Sequence, residues 1–283
     1  MSVGALPWRG PGPGRPELPL PPGPMPLRRD GQTRKRWRYV GLYAEQLMLC
    51  AARAQVGPVT QSFWVLWDRE RGEQLAHTAM RPGSREVRFD GPRLEIAARG
   101  LRASLTLGEA GAPIETICPS PGGSGWGWTR KRAGVPISGT VEAGGRRWQL
   151  DGLGVDDQSA GYHQRHTSWH WSAGVGTAAD GRALGWNLVE GINDPPHASE
   201  RAVWVDGEPY EPAPVRFEGT DAVAFAAGRG RLEFSPESER ARDENFLLVR
   251  SRYRHRFGGF SGSLDGIELA SGLGVMEEHD AVW

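Results

Sequence analysis

Arg36-Trp37-Arg38-Tyr39-Val40-Gly41-Leu42-Tyr43 is the stretch of sequence that decides the fold class. Its large aromatic side chains stand at every second position, so that Trp37, Tyr39 and Tyr43 share one face. The same period of two continues in Ser62–Asp68 and in Leu101–Leu107. This period is typical of a half-buried strand, whereas a helix repeats every 3.6 residues. The stretch therefore predicts β-structure.

Similar short segments recur along the chain, with turn signals between them. Strands at spacings of about 8–12 residues are typical of a sandwich or barrel, and Gly139–Ala143, Trp148–Gly152 and Tyr162–Ser172 are three of those predicted. Helical signals are few. Ser235-Pro236-Glu237 is compatible with one helical turn, and the run from Gly41 to Arg53 fits a strand or a helix. The hairpin signals are the pairs Asp90-Gly91, Asp180-Gly181, Asp206-Gly207, Asp265-Gly266 and Gly144-Gly145.

The first 30 residues differ in composition from the rest, because they hold 9 of the 22 prolines. Proline lacks a backbone N–H and fixes φ, so this segment is neither a helix nor a central strand. We expect residues 1–30 to form an extended Pro/Gly-rich arm, either disordered or laid across the body. Ordered structure is expected from Arg36.

Charge and composition exclude several classes of protein. The 283 residues include 34 basic and 34 acidic residues, and the pI is about 7.1. Nucleic-acid-binding proteins usually carry a basic stripe and a high pI, so no nucleic-acid partner is expected. No apolar run approaches the roughly 20 residues of a membrane span, and residues 1–30 contain no signal-peptide-like stretch. We expect a cytoplasmic protein without a transmembrane segment, and the oligomeric state stays open.

Cofactor chemistry also finds little support in the sequence. Cys50 and Cys118 are too few for a disulfide framework and are expected to be reduced. Lys35 and Lys131 are the only lysines, which leaves few candidates for Schiff-base chemistry. There is no G-x-S-x-G elbow, and no G-x-G-x-x-G opens a helix. No cofactor is therefore expected.

The segment Asp156–Trp171 is the richest in acid–base side chains. On a strand, His166 and His170 share one face and lie about 13 Å apart, at roughly 3.3 Å per residue, so they do not bind one metal ion, and no metal site is expected. His166 is a candidate proton donor or acceptor near neutral pH, but a buried histidine bonded to a backbone carbonyl fits equally well. Further polar groups stand at Glu190–Pro196 and at Glu277–Asp280.

Twelve tryptophans are a heavy load for this length. Trp169-His170-Trp171 also resembles Trp37-Arg38-Tyr39, and each motif precedes a second Trp-bearing strand. This internal similarity suggests two related barrels that meet between Gly152 and Asp157. Tryptophan serves either as core or as the wall of an apolar cavity.

Four segments together resemble a bacterial family known as domain of unknown function 2804. They are Lys35–Tyr43 (KRWRYVGLY), Ser159–Gly176 (SAGYHQRHTSWHWSAGVG), Leu184–Pro196 (LGWNLVEGINDPP) and Gly272–Trp283 (GLGVMEEHDAVW). That family is distantly similar to the AttH and carotenoid 1,2-hydratase (hydroxyneurosporene synthase) group. The resemblance implies an all-β fold of two lipocalin-like antiparallel barrels, residues 31–153 and 154–283, packed together with a cavity at or near their junction.

The motifs of that group map onto this chain with departures. Trp37-Arg38-Tyr39 matches its W-W-Y segment, and Gly272–Glu277 matches G-x-G-x-x-E. Arg165–Trp169 matches D-H-x-W-G, but Arg165 replaces the Asp and Trp169 stands one residue late. If that Asp orients the His, then Asp157 or Glu190 is the substitute that this chain offers.

Members of the wider group perform cofactor-free additions of water to polyenes or pericyclic cyclisations, and others have no known activity. The resemblance implies an enzyme of hydratase, isomerase or cyclase type acting on a lipid-, terpenoid- or polyene-like substrate, a small apolar ligand. The alternative is a lipocalin-type protein that binds an apolar ligand without chemistry. The expected catalytic residues are His166, Tyr162, Glu190 and Asp157. The expected substrate-binding residues are Trp37, Tyr39, Trp128, Trp169, Trp171, Trp186 and Asn193.

Overall fold

The computed structural model describes residues 6–11, 14–80, 85–120, 125–246 and 249–282. Within these ranges, Ala226–Gly228 is the one helical element, a single 3₁₀ turn, and all other regular structure is β. The strands form two curled antiparallel sheets that pack together. The predicted all-β, lipocalin-like two-barrel fold is confirmed.

The first sheet contains most of residues 8–161, with a separate two-stranded hairpin beside it. The strands of this part of the chain are β1 Trp8–Gly10, β2 Arg28–Arg29, β3 Gln32–Thr33, β4 Lys35–Tyr43, β5 Leu47–Val56, β6 Val59–Asp68, β7 Glu73–Ala79, β8 Val87–Asp90, β9 Arg93–Ala98, β10 Leu101–Leu107, β11 Ile114–Pro119, β12 Trp126–Ala143 and β13 Arg146–Gly161. The strand order of the first sheet is β7-β6-β5-β4-β13-β12-β10-β9-β8, and β11 joins the far end of β12 with β1 beside it.

The second sheet contains β14 His166–Ala178, β15 Ala183–Glu190, β16 Ala202–Val205, β17 Glu208–Tyr210, β18 Val215–Glu218, β19 Ala222–Phe225, β20 Arg231–Phe246, β21 Val249–Leu264 and β22 Ile267–Val282. It repeats the topology of the first sheet in the order β17-β16-β15-β14-β22-β21-β20-β19-β18. In both sheets the first long strand (β4 or β14), here called the first strand, pairs with the last (β13 or β22), and three strands follow outward on one side. This repeat agrees with the similarity between the Trp37 and Trp169 motifs.

Three of the hairpin signals form two-residue turns with both residues at positive φ. Asp206-Gly207 has φ values of 51° and 87°, Asp265-Gly266 has 49° and 92°, and Gly144-Gly145 has 56° and 74°. This geometry matches the twist of the flanking strands, and Asp and Gly tolerate it better than most residues. The three turns fix the pairing of β16 with β17, β21 with β22, and β12 with β13.

The longest strands were predicted as shorter pieces. Gly139–Ala143 and Trp148–Gly152 belong to β12 and β13, which have 18 and 16 residues. The glycines in these strands do not end them. At Gly154, for example, glycine allows close approach of the neighbouring strand, since a Cβ there would lie 1.9 Å from the carbonyl oxygen of Gly41. Strand β13 also runs through residues 153 and 154, and the chain passes to the second sheet between Gly161 and His166. The proposed division at 153/154 therefore falls within one strand of the first sheet.

Four apolar clusters stabilise the fold. One fills the first barrel, around Leu49 and Val141, and another fills the second, around Trp186 and Phe260. A third lies between the sheets and joins Tyr39 to Trp171. Each fully buried large side chain contributes about 1.5–3 kcal/mol. Cys50 and Cys118 are both free and buried.

The N-terminal arm lies across the body, one of the two arrangements expected for it. Strand β1 pairs with β11, and Leu20 and Met25 are buried against Trp126 in the fourth cluster. The expectation that order begins at Arg36 is wrong, because strand β1 and the β2–β3 hairpin precede it. The parts of the arm at residues 1–5 and 12–13 lie outside the described residues.

The two helix candidates are strands. The run from Gly41 to Arg53 contains the end of β4, a connection at residues 44–46 and most of β5. Both strands are buried in the sheet, so tertiary packing overrides the helix propensity of this run. Ser235-Pro236-Glu237 lies in β20, where the register with β21 shifts between Pro236 and Ser238. A bulge accommodates proline within a sheet.

We expect Gly174→Ala to destabilise the protein by about 1–3 kcal/mol. A Cβ at Gly174 would lie 2.2 Å from Cζ2 of Trp186, which is fully buried and cannot retreat. Gly259→Ala is the matched control, since its Cβ would meet only the Gly272 oxygen at 3.7 Å. Urea denaturation measures both variants. Equal stability of the two would contradict this account of packing in the second barrel.

Candidate active site

A cavity of about 320 Å³ lies between the two sheets. Its walls come from β4, β5, β6, β12 and β13 of the first sheet and from β14, β15, β20, β21 and β22 of the second, together with the loop after β15. One side is mostly apolar, with Ala52, Ala54, Val56, Val59 and Phe63. The cavity thus lies at the junction where the family resemblance predicted one.

Aromatic pairs join the two sheets across the cavity. The rings of Trp37 and Trp169 are stacked, with centroids 6.3 Å apart and planes 2° apart. Tyr39 meets Trp171 edge to face at 5.2 Å. These residues come from β4 and β14, the first strands of the two sheets, and side chains two positions apart on a strand share a face. Each first strand therefore contributes two rings to the same wall.

A buried ion cluster forms part of the cavity wall. Nζ of Lys131 lies 2.5 Å from Oδ2 of Asp157 and 3.4 Å from Oε1 of Glu200. Nδ2 of Asn193 donates to the other oxygen of Glu200 at 3.0 Å. Burial lowers the pKa of Lys131, but the two carboxylates outweigh it and raise that pKa. Burial raises the pKa of both Asp157 and Glu200, and the ammonium group of Lys131 offsets this increase only in part.

Glu277 is a third buried carboxyl group and has a different environment. Its Oε1 accepts a hydrogen bond from Nε1 of Trp169 at 3.0 Å, and its Oε2 accepts one from the Tyr253 hydroxyl at 2.9 Å. Both donors are neutral. Burial raises the pKa of Glu277 to about 7, and Asp157 adds to the effect. The carboxyl group therefore exchanges its proton near neutral pH, as a general acid or base requires.

The repeated topology explains how these groups converge. In the first sheet, Asp157 on the last strand pairs with Tyr39 on the first. In the second sheet, Glu277 on the last strand pairs with Trp171 on the first. The two carboxyl groups thus occupy corresponding positions in the two barrels. The first strands of the two barrels face each other. The paired residues Tyr39 and Asp157 of one barrel and Trp171 and Glu277 of the other therefore line the same cavity.

Some of the sequence-predicted site residues line this cavity. They are Asp157, Trp37, Tyr39, Trp169, Trp171 and Asn193. The other five lie elsewhere. His166 is 59% exposed and pairs with Asp280 at 2.7 Å, and Tyr162 donates to the carbonyl of Pro26 in the arm.

The remaining three have structural partners away from the cavity. Glu190 accepts the backbone N–H of Phe217 at 2.8 Å. Trp128 is packed under the arm and donates to Glu115, and Trp186 lies in the core of the second barrel, where it donates to Ser172. Tyr162 also precedes β14 instead of starting it, so it does not share a strand face with His166.

Several polar residues of the cavity were not predicted from the sequence. Lys131, Glu200, Tyr253 and Arg240 are among them. The scarcity of lysine was one available signal, since Lys131 stands near the middle of a long strand among apolar residues. Glu277 belonged to the Glu277–Asp280 group, whose alternation turns Glu277 and His279 to the same face. Both line the cavity.

We expect Glu277→Gln to raise the stability of the protein at pH 8 by up to about 3 kcal/mol. A carboxyl group with a raised folded-state pKa destabilises the native state progressively as the pH rises from 4.5, its ordinary value, to about 7. Gln removes this cost, its amide oxygen still accepts from Trp169 and its amide N–H can donate to the Tyr253 hydroxyl, so its advantage should shrink at pH 5. Denaturant unfolding at the two pH values measures the gap, with Glu278→Gln as control. A gap that is the same at both pH values would contradict the raised pKa.

No helix among the described segments has the length and apolar character of a membrane span. In the same residues, no three His, Cys, Asp or Glu side chains are grouped so as to hold a metal ion.

Comparison with solved structures shows the same fold in other proteins. A Nitrosomonas europaea protein provisionally described as AttH superimposes with a TM-score of 0.57 at 15% identity, covering 92% of this chain and 97% of its own. Kievitone hydratase from Nectria haematococca gives a TM-score of 0.51 at 10% identity, with 88% of each chain covered. At these identities the likeness concerns the fold alone. No curated protein sequence matches the chain.

The family comparison covers both barrels. A family model matches residues 73–283, which include most of the first sheet and all of the second. The chain therefore belongs to the family described as domain of unknown function DUF2804.

Proposed function

We propose that the protein is a cofactor-independent enzyme of hydratase, isomerase or cyclase type that acts on an apolar substrate in the cavity between the barrels. The observation that carries this proposal is Glu277, a buried carboxyl group with a pKa of about 7 in a wall of aromatic rings. An apolar binding site alone has no use for such a group. The hydratase name of one structural relative supports the same class of reaction.

Hydration is the reaction that this geometry serves most directly. Protonated Glu277 donates its proton to one carbon of a substrate double bond, and the other carbon becomes cationic. The faces of Trp169 and Trp37 stabilise that cation by cation–π interaction, worth about 2 kcal/mol in a desolvated site. Water then adds to the cationic carbon, and its proton returns to the Glu277 carboxylate. The enzyme is restored and the product is an alcohol.

Lys131 and its two carboxylates support this proton transfer. Burial is the main cause of the raised pKa of Glu277; Asp157 adds a smaller increase and Lys131 a smaller decrease, so the ion cluster adjusts the proton affinity of the acid. Arg9 from the arm helps to hold the cluster, since its Nη1 donates to the carbonyl of Arg201, next to Glu200. Under this proposal His166, Tyr162 and Glu190 take no part in the chemistry.

Non-catalytic binding of an apolar ligand is the second candidate. The apolar wall of Ala52, Ala54, Val56, Val59 and Phe63 favours it. It would leave the raised pKa of Glu277 and the buried ion cluster without a role. An enzyme would convert the bound compound to a product, whereas a binding protein would release it unchanged.

The experiment is an incubation of prenyl, polyene and phenolic alkenes in H₂¹⁸O with the wild type, Glu277→Gln and His166→Gln. We expect the wild type and His166→Gln to form a product heavier by about 20 Da, the mass of H₂¹⁸O, and Glu277→Gln to lose at least 100-fold in rate. Mass spectrometry measures the product. The same incubation in D₂O detects isomerisation as deuterium uptake.

Two results would contradict the proposal. Full activity of Glu277→Gln, or loss in His166→Gln alone, would return the proton transfer to His166. Compounds that bind, as seen by native mass spectrometry, but never change would favour the binding protein.

A further inference from the structure

Arg240 is a cation in the cavity wall that forms no ion pair with any of the described residues. It stands on β20, is 8% exposed and lines the cavity. Its guanidinium carbon lies 5.0 Å from the ring centre of Phe63 and 5.7 Å from that of Tyr253. Within the described residues its one hydrogen bond goes from Nη2 to the hydroxyl of Thr78, and no carboxylate lies within 4.0 Å.

This isolation is unusual for the hairpin that carries Arg240. On the same two strands, Arg242 pairs with Glu244, and Arg254 and Arg256 both pair with Glu239. Those arginines are more exposed than Arg240, so their charges keep more contact with water and lose less solvation free energy in the folded protein. A buried guanidinium without a counterion is expensive unless an anion completes the site.

The other two cations of the cavity wall are already satisfied, since Arg242 pairs with Glu244, which also lines the cavity. Lys131 contacts the carboxylates of Asp157 and Glu200, which leave no positive charge for a further anion. An anionic group on a bound molecule would therefore find its counterion at Arg240. The aromatic rings beneath the guanidinium leave its edge N–H groups for a ligand, and a planar pair of N–H donors matches the two oxygens of a carboxylate.

We propose that Arg240 binds a carboxylate on an otherwise apolar substrate. This inference rests on the proposed function, because it assumes an apolar substrate in the cavity and adds one anionic end to it. Tyr253 links the two ends of the arrangement: its ring lies by Arg240 and its hydroxyl bonds Glu277. Anchoring the carboxylate at Arg240 fixes how far along the apolar body Glu277 delivers its proton.

The test uses two fluorescent polyene probes that differ only in this charge, cis-parinaric acid and its methyl ester. Fluorescence titration measures the affinity of the wild type, Arg240→Gln and Arg240→Lys for both. Arg254→Gln is the matched control, since it removes one arginine from the same hairpin outside the cavity. Circular dichroism and the unfolding midpoint confirm that each variant is folded.

We expect the wild type and Arg254→Gln to bind the acid at least tenfold more tightly than the ester, roughly 1.4 kcal/mol. Arg240→Gln should reduce this preference to less than threefold and leave the ester unaffected. Arg240→Lys, which keeps the charge and loses the planar pair of donors, should show an intermediate preference.

The contradicting outcomes are distinct. Equal affinity of the wild type for acid and ester would overturn the role of Arg240, and so would an equal loss of affinity for both probes in Arg240→Gln. In either case the wild type still binds an apolar compound, so the proposed function stands. If Arg240→Gln does not fold, the comparison of the two probes on the wild type and on Arg240→Lys decides the same question. A wild type that binds neither probe would overturn the proposed function together with this inference.

Discussion

The packing of β4 against β14 is the contact on which the site depends. These are the first strands of the two sheets, and the ring pairs Trp37–Trp169 and Tyr39–Trp171 join them. Such pairs add about 0.5–1.5 kcal/mol each to the gain from burial. Each first strand pairs with the last strand of its own sheet, so fixing the two first strands also fixes the strands that carry Asp157 and Glu277. The position of the acid groups follows from the aromatic contact.

The buried charges set a limit on the stability of this junction. Three carboxyl groups and one lysine share a region with little access to water. A core built only for stability would place apolar side chains there, since replacing buried ion pairs by such residues is often neutral or stabilising. Retention of these groups at the cost of stability is expected of sites that do chemistry. The arm contributes here as well, because Arg9 holds the loop that carries Glu200.

Much of the fold was accessible from the sequence, because it depends on local patterns. Alternation along β4 predicted the strand and put Trp37 and Tyr39 on one face, and the cavity indeed contains both. Alternation along β14 places His166 and Trp169 on opposite faces, and in the structure His166 is exposed whereas Trp169 lines the cavity. Lys131, Glu200 and Arg240 were not found, since their approach depends on pairing between strands far apart in sequence. The division at 153/154 missed the end of β13 because glycines that curl a strand look the same in sequence as glycines that end one.

The repeat of the barrel also explains why two corresponding carboxyl groups can have different tasks. In the first sheet the strand beside Asp157 supplies Lys131, a cation 2.5 Å away. In the second sheet the corresponding strand supplies His255, whose pKa burial lowers to about 3, so that it is neutral. His255 contacts Tyr39 of the other barrel, 3.1 Å from its hydroxyl. Asp157 therefore has a permanent counterion, whereas Glu277 has only neutral donors. Different environments are the usual means of giving two acids different roles, and here the residue beside each acid, Lys131 or His255, contributes to that difference.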